Sequence, residues 1–234
     1  MKFPLQSTVT IGNYVASQQR RGERYPLVLM LEPTLACNIA CIGCGKIREY
    51  ESNKARLSVE ECIDAGVQCP APVVSICGGE PLIYKGIEDV VAGMLVAPGY
   101  QYSQIDPALT MTRAEHEEKF RAIRTAVRKH GYRWLATPIY QDFLTGERKL
   151  SCAPWGSITR NPYGWKGPCY LLTDGIFPTY EALLEGMEWE AYGPGNDPRC
   201  EHCGIHCGFE PSAAYVASRS LKETVRSLAW TLTG

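Results

Sequence analysis

Two apolar runs separated by one capped helix constrain the fold more than any other feature of this chain. LVLMLEP, from Leu27 to Pro33, is continuously hydrophobic and closed by proline, as in a strand buried within a parallel sheet. VVSICGG, from Val73 to Gly79, is rich in β-branched residues, ends in glycines and gives a second strand. Between them Ser58 precedes VEECIDAGV with Glu61 three residues on, a capping box opening a helix of about ten residues. Strand, helix and strand in this order predict a right-handed βαβ unit.

The rest of the chain is less periodic. MLVAPGY, from Met94 to Tyr100, is a third strand candidate, reached by a crossover of only Leu82 to Gly93, within which IEDVV starts a helix. Thr112 to His130 is charged and helical in period, with Phe120, Ile123 and Val127 on one face and Gly131 as the stop. From Tyr132 to Gly234 the sequence is rich in Gly, Pro, Trp, Tyr and Cys, and reads as irregular structure that a metal or a neighbouring domain must fix. The tail is the exception: Leu221, Val225, Leu228 and Leu232 recur at helical spacing beside Lys222 and Arg226.

The 234 residues suffice for a real core, and 45% hydrophobic with 21% charged residues is ordinary globular composition. A formal net charge of -1 gives no electrostatic reason to expect nucleic acid. The N-terminal stretch lacks the apolar core of a signal peptide and no run reaches the length of a membrane span, so the chain reads as cytoplasmic. In a reducing compartment its 11 cysteines argue for metal or redox chemistry over a disulfide framework.

Three of them, Cys37, Cys41 and Cys44, stand as C-x3-C-x2-C in the loop after the first strand. Three thiolates this close converge on one soft metal centre. A structural zinc would want a fourth ligand, whereas a 4Fe-4S cluster on three cysteines keeps one iron open for substrate. Zinc and buried inert thiols are the alternatives. The second strand ends in Gly78, Gly79, Glu80 and Pro81, where glycines permit close backbone approach. Taken alone, GGEP also fits a plain βα turn in which Pro81 opens the next segment.

The two motifs together, in this order and on these elements, resemble the radical S-adenosylmethionine (SAM) superfamily. At closer range, YPLVLMLEPTLACNIACIGCGKI, GGEPLI, APGY, APWG at Ala153 to Gly156, GPCYLL at Gly167 to Leu172 and the final CEHCGIHCGFEP resemble the adenosyl-hopene transferases of hopanoid biosynthesis (the HpnH family). The resemblance implies a 4Fe-4S cluster on Cys37, Cys41 and Cys44, and SAM at Gly78, Gly79, Glu80 and Pro81. It further implies reductive cleavage of SAM to a 5'-deoxyadenosyl radical that adds to hopene, giving adenosylhopane. No catalytic side chain beyond the cluster is assigned. The implied partners are the triterpenoid hopene, a reductase or flavodoxin-type electron donor and a peripheral membrane contact.

A second thiol group comprises Cys200, Cys203 and Cys207 in CEHCGIHC, with Cys152 and Cys169 upstream. Resemblance to SPASM/twitch-type extensions implies an auxiliary Fe-S cluster there, with zinc as the alternative. His202 and His206 within the motif read as surface groups or as partners of ligands. Cys62, Cys69 and Cys77 fall where a small buried hydrophobe would serve. The tail helix offers an apolar stripe for the membrane that holds hopene, or an ordinary core face. Arg20, Arg21 and Arg24 read as a solvated charged segment.

Length is the discrepancy. The resemblance implies a partial barrel of six βα units, which need about 180 residues at ~30 each, whereas Pro26 to His130 supplies 105. The crossover from GGEP to Met94 sits at the ~10 to 12 residue lower limit for a βαβ connection, and the Thr-Asn pair expected on the next strand occurs nowhere. The expected fold is therefore an α/β protein: an incomplete radical SAM partial barrel with parallel strands over 1–131, lacking its central units near Val91 to Gly93. A cysteine-rich irregular extension ending in an amphipathic helix fills 132–234. Such a chain is a shortened enzyme, a non-catalytic Fe-S or zinc-binding module, or part of a longer protein.

Overall fold

A computed structural model describes the chain except residues 1–4, 23, 39–54, 94–111, 131–133, 135, 205 and 234, with backbone alone for 5–8, 92–93 and 232–233. It comprises two compact units, one of residues 25–110 and 154–189, the other of 1–24, 111–153 and 190–234. Each draws on both sides of residue 131. The third strand candidate, Met94 to Tyr100, and the stop at Gly131 lie outside the described residues.

The first unit is built on the predicted βαβ element. Strand β1 (Val28–Thr34) pairs in parallel with β2 (Val73–Gly78), Val28 opposite Val73 and Leu31 opposite Ile76. The connecting helix, numbered α2 (Val59–Gln68), starts as its sequence demands. Ser58 Oγ accepts from the Glu61 amide at 3.1 Å, and a Glu61 carboxylate oxygen accepts from the Ser58 amide at 2.7 Å. Leu29 and Leu31 are fully buried, each contributing about 1.5 to 3 kcal/mol of hydrophobic stabilisation. The short crossover carries a 3-10 turn (Pro81–Ile83) and helix α3 (Ile87–Gly93).

The region expected to be irregular supplies three further strands. Strand β3 (Ser157–Asn161) joins the far side of β1 in parallel, Met30 opposite Thr159; β4 (Gly164–Pro168) and β5 (Thr173–Phe177) follow as antiparallel hairpins. The order is β2-β1-β3-β4-β5, a mixed five-stranded open sheet in which β2 is outermost among the described residues. These strands escape pattern reading for a physical reason. β4 is GWKGP, buried throughout, with glycines where neighbours pack closely. A Cβ at Gly164 (φ +148°) would meet the Phe177 carbonyl oxygen at 2.6 Å, and one at Gly167 would meet Met187 at 2.5 Å.

The second unit is helical. Helices α1 (Leu5–Arg21), α4 (Arg113–His130), α5 (Pro138–Leu144), α7 (His206–Ser218) and α8 (Leu221–Thr233) belong to it, while α6 (Tyr180–Gly186) belongs to the first. Ile139, Tyr140, Phe143, Leu144, Phe209 and Ala213 form its buried cluster, with Phe143 and Phe209 rings stacked at 4.3 Å. On α4, Phe120 faces this cluster and Val127 is half-buried, but Ile123 is exposed; Arg124 turns inward instead, to Asp142. Arg20 and Arg21 close α1, and Arg24 forms an ion pair with Glu190.

Helix α8 departs from the expectation of an ordinary core face. Leu221, Val225 and Leu228 are 83%, 56% and 47% exposed, whereas Glu223 is buried. The reason is electrostatic. Glu223 takes a 2.5 Å ion pair from Arg148, and Arg226 grips Asp142 through two bonds of 2.5 and 3.0 Å, so the polar side of α8 faces inward. No helix among the described residues is long and apolar enough to cross a membrane.

Candidate ligand site at the carboxyl ends of the strands

Ligands of parallel sheets bind beyond the carboxyl ends of the strands, where β1 leads here into the first cysteine loop. Both stems of that loop are fixed. The Leu35 amide donates to the Ala55 carbonyl (3.1 Å), the Leu57 amide donates to the Pro33 carbonyl (2.8 Å), and Thr34 bridges Arg56 in antiparallel fashion. The GGEP segment lies along the outgoing stem. The Gly79 amide donates to the Thr34 carbonyl (3.0 Å) and the Glu80 amide to the Ala36 carbonyl (2.9 Å), one residue before Cys37.

The glycines make this approach sterically feasible. A Cβ on Gly78 (φ +105°) would stand 2.6 Å from the Thr34 carbonyl oxygen, and one on Gly79 would stand 2.1 Å from that of Ala36. Their established contact is with protein backbone. Glu80 caps the 3-10 turn through its side chain, which accepts from the Leu82 amide at 2.9 Å, and Pro81 is the first residue of that turn. GGEP is thus a βα turn as well as a lip of the cysteine loop. Cys37 is exposed at this end of the sheet; Cys41 and Cys44 lie outside the described residues.

The two faces of the sheet differ. Leu29, Leu31, Ile158, Arg160, Trp165 and Gly167 share one face by register. Burial lowers the pKa of Arg160, offset by Glu61 and Cys62 of α2; Trp165 packs on Tyr180 and Gly167 on Leu183, both of α6. The opposite face carries Met30 and Glu32 of β1, Ser75 and Cys77 of β2, Ser157, Thr159 and Asn161 of β3, and Lys166 of β4. Glu32, Cys77, Ser157, Thr159, Asn161 and Lys166 are all buried. Lys166 Nζ donates to the Tyr170 carbonyl at 2.9 Å.

This polar face is what sequence reasoning missed. Glu32 carried a signal, as the one charge in an otherwise apolar strand. Thr159, Asn161 and Lys166 carried none, because SITRN and GWKGP do not show strand alternation. Cys62, Cys69 and Cys77 are buried as expected of small core residues, and burial pushes the Cys62 thiol to about 11 and that of Cys69 to about 12.

The second thiol group draws on both units. Cys152, Cys200, Cys203 and Cys207 belong to the helical unit, whereas Cys169 follows β4 in the sheet unit. Cys200 closes a 3-10 turn capped by Asp197, the Cys203 amide donates to the Cys200 carbonyl (2.9 Å), and Cys207 opens α7. Cys152 and Cys203 pack against the apolar cluster. Among the described residues no three His, Cys, Asp or Glu side chains are placed to hold a metal ion. Around them burial lowers the pKa of His206, raises that of Glu210 to about 7 and raises that of Tyr140, whose hydroxyl donates to the Gly204 carbonyl at 3.1 Å.

Fold and site define a mixed α/β protein whose sheet is helix-packed on one face and buried-polar on the other. Residues 94–227, more than half of the chain, match the family described as Domain of unknown function (DUF3463), and the chain belongs to that family. No curated protein and no solved structure matches it.

Proposed function

We propose that this chain is a radical SAM protein of the adenosyl-hopene transferase type, shortened in its central barrel. The observation that supports it best is the backbone tie between Glu80 and Ala36, which places GGEP against the stem of the loop carrying Cys37, Cys41 and Cys44. The donor set fits a 4Fe-4S cluster with one open iron. When bound, that cluster supplies the electron that cleaves SAM. The chain's own part is to present Cys37 at the carboxyl end of the sheet and to lay the GGE backbone against the stem of its loop. Hopene is the substrate that the resemblance implies, and the outward Leu221, Val225 and Leu228 of α8 suit contact with the membrane that would hold it. The family match opening at residue 94 supports a join where GGEPLI gives way to MLVAPGY.

The test is anaerobic reconstitution with iron and sulfide, followed by SAM and reductant, with release of 5'-deoxyadenosine measured against Cys37→Ala. Formation above that control is expected; equal amounts from both proteins would remove the enzyme reading. A second reading is a non-catalytic metal-binding module, in which GGEP serves only as the βα turn that its backbone contacts and the Glu80 cap describe. Zinc without iron or sulfide in anaerobically prepared protein identifies that case.

A further inference from the structure

Four basic side chains converge at one corner of the helical unit. Gln19, in the last turn of α1, donates through its side-chain amide to Ser218 Oγ at the end of α7. That bond sets Arg20 and Arg21 beside the turn, Arg219 and Ser220, that leads into α8 at Leu221 and Lys222. All four basic residues are exposed, and none forms an ion pair among the described residues. The acidic side chains of these three helices do not offset them. Helix α1 has none, Glu223 of α8 is buried against Arg148 and Arg226, and Glu210 lies near the start of α7, where burial raises its pKa to about 7. Leu221 stands within the basic group, and Val225 and Leu228 carry the apolar stripe away from it along α8. By helical spacing Lys222 flanks that stripe, whereas Glu223 falls on the opposite side.

We infer that this corner docks on the surface of an anionic phospholipid bilayer, with Leu221, Val225 and Leu228 entering the acyl boundary and Arg20, Arg21, Arg219 and Lys222 engaging the headgroup phosphates. The inference rests on the membrane contact proposed above and narrows it, naming the charge of the lipid and adding α1 from the far end of the chain. Apolar insertion alone does not discriminate between lipids; unbalanced basic residues do, because the negative surface potential attracts each of them. A nucleic acid would answer the charges and leave the leucines in water.

The experiment is flotation of the anaerobically reconstituted full chain with vesicles of phosphatidylcholine alone and of phosphatidylcholine mixed with phosphatidylglycerol, at low and at physiological salt. Two double variants accompany it, Arg219→Gln with Lys222→Gln and Arg20→Gln with Arg21→Gln, each replacing exposed charges only. The unaltered protein is expected to prefer the mixed vesicles, less so at the higher salt. Each charge removed is expected to weaken that partition about fivefold, at an unchanged thermal midpoint. Undiminished partition in either double variant overturns the inference, as does equal partition onto both kinds of vesicle; the membrane contact survives both results. Association with neither vesicle removes the contact and the inference together. Retention on heparin without a preference for the mixed vesicles assigns the corner to a polyanion such as nucleic acid and overturns it. Release of 5'-deoxyadenosine from SAM, measured on the same proteins, reports on the radical chemistry separately: its absence beside the expected partition upholds the docking surface and removes the enzyme reading.

Discussion

The backbone amide of Glu80 donates to the carbonyl of Ala36 at 2.9 Å, so the end of the second strand is laced to the chain one residue before the first cysteine of its loop. That bond and its neighbour from Gly79 to Thr34 tie two sequence motifs, some forty residues apart, into one local structure. Their geometry tolerates no side chain at the glycines.

Gly79→Ala tests this most directly. Its methyl would stand 2.1 Å from the Ala36 carbonyl oxygen, and relief requires moving backbone. A destabilisation of about 2 kcal/mol or more is expected, seen as a fall of several degrees in thermal midpoint. Iron retained after reconstitution should fall as well. A variant with unaltered midpoint and iron content would show that the two motifs are independent.

The outward face of α8 predicts lipid association. Leu221→Ser with Leu228→Ser removes apolar surface from exposed positions without touching Glu223 or Arg226, which hold the helix. Flotation with phospholipid vesicles should recover clearly less of the double variant, at an unchanged thermal midpoint. Equal recovery would end the membrane reading.

Asp142 anchors α8 to α5. It receives two bonds from Arg226 and a 3.5 Å contact from Arg124, while Arg124 also pairs with Glu147. Replacing a mostly buried carboxylate by a neutral amide leaves two guanidinium groups facing each other. Arg226 is partly exposed, which discounts the effect. Asp142→Asn should therefore cost about 2 kcal/mol, below the full penalty of a buried broken pair. Urea unfolding measures it, and a change under half a kcal/mol would contradict the anchor.

Glu210 gives a pH dependence of opposite sign to most carboxylates. Burial raises its folded-state pKa to about 7 from an ordinary value near 4.5, so between those limits the folded state holds a proton that the unfolded state has lost. Its contribution to stability is therefore fully present below about 4.5, is lost as pH rises toward 7, and levels off above. His206 acts the other way: burial lowers its folded-state pKa, so stability is lost as pH falls below its unfolded value of 6.5. Glu210→Gln isolates the first term. The stability difference, unaltered protein minus variant, should decline by about 1 to 3 kcal/mol across that window; a flat difference would place Glu210 in water.

Much of the βαβ unit was legible. The Ser58 to Glu61 capping box, the helix it opens and the two apolar strands all rest on interactions within a few residues, or on burial of every side chain in a run. The thiols illustrate the limit. Cys62 and Cys69 read as core because they fall where a small buried hydrophobe serves, whereas spacing alone does not show that Cys169 and the other four thiols of its group are contributed by different compact units. Helix α8 was legible as a helix, but its orientation was not, since the choice between burying leucines and burying Glu223 is made by Arg148, 75 residues away.

By itself, then, the sequence determined what local forces settle: which segments become helix or strand, where caps and glycine turns fall, and which cysteines share one loop. The tertiary structure alone decided that β3 would add to the free side of β1, that β4 could be a strand despite two glycines and a proline, and that Glu32, Thr159, Asn161 and Lys166 would share one face. Strand addition is chosen by which edge is open and by what the paired faces bury. Those are properties of partners distant in sequence, and no single stretch of the chain carries them.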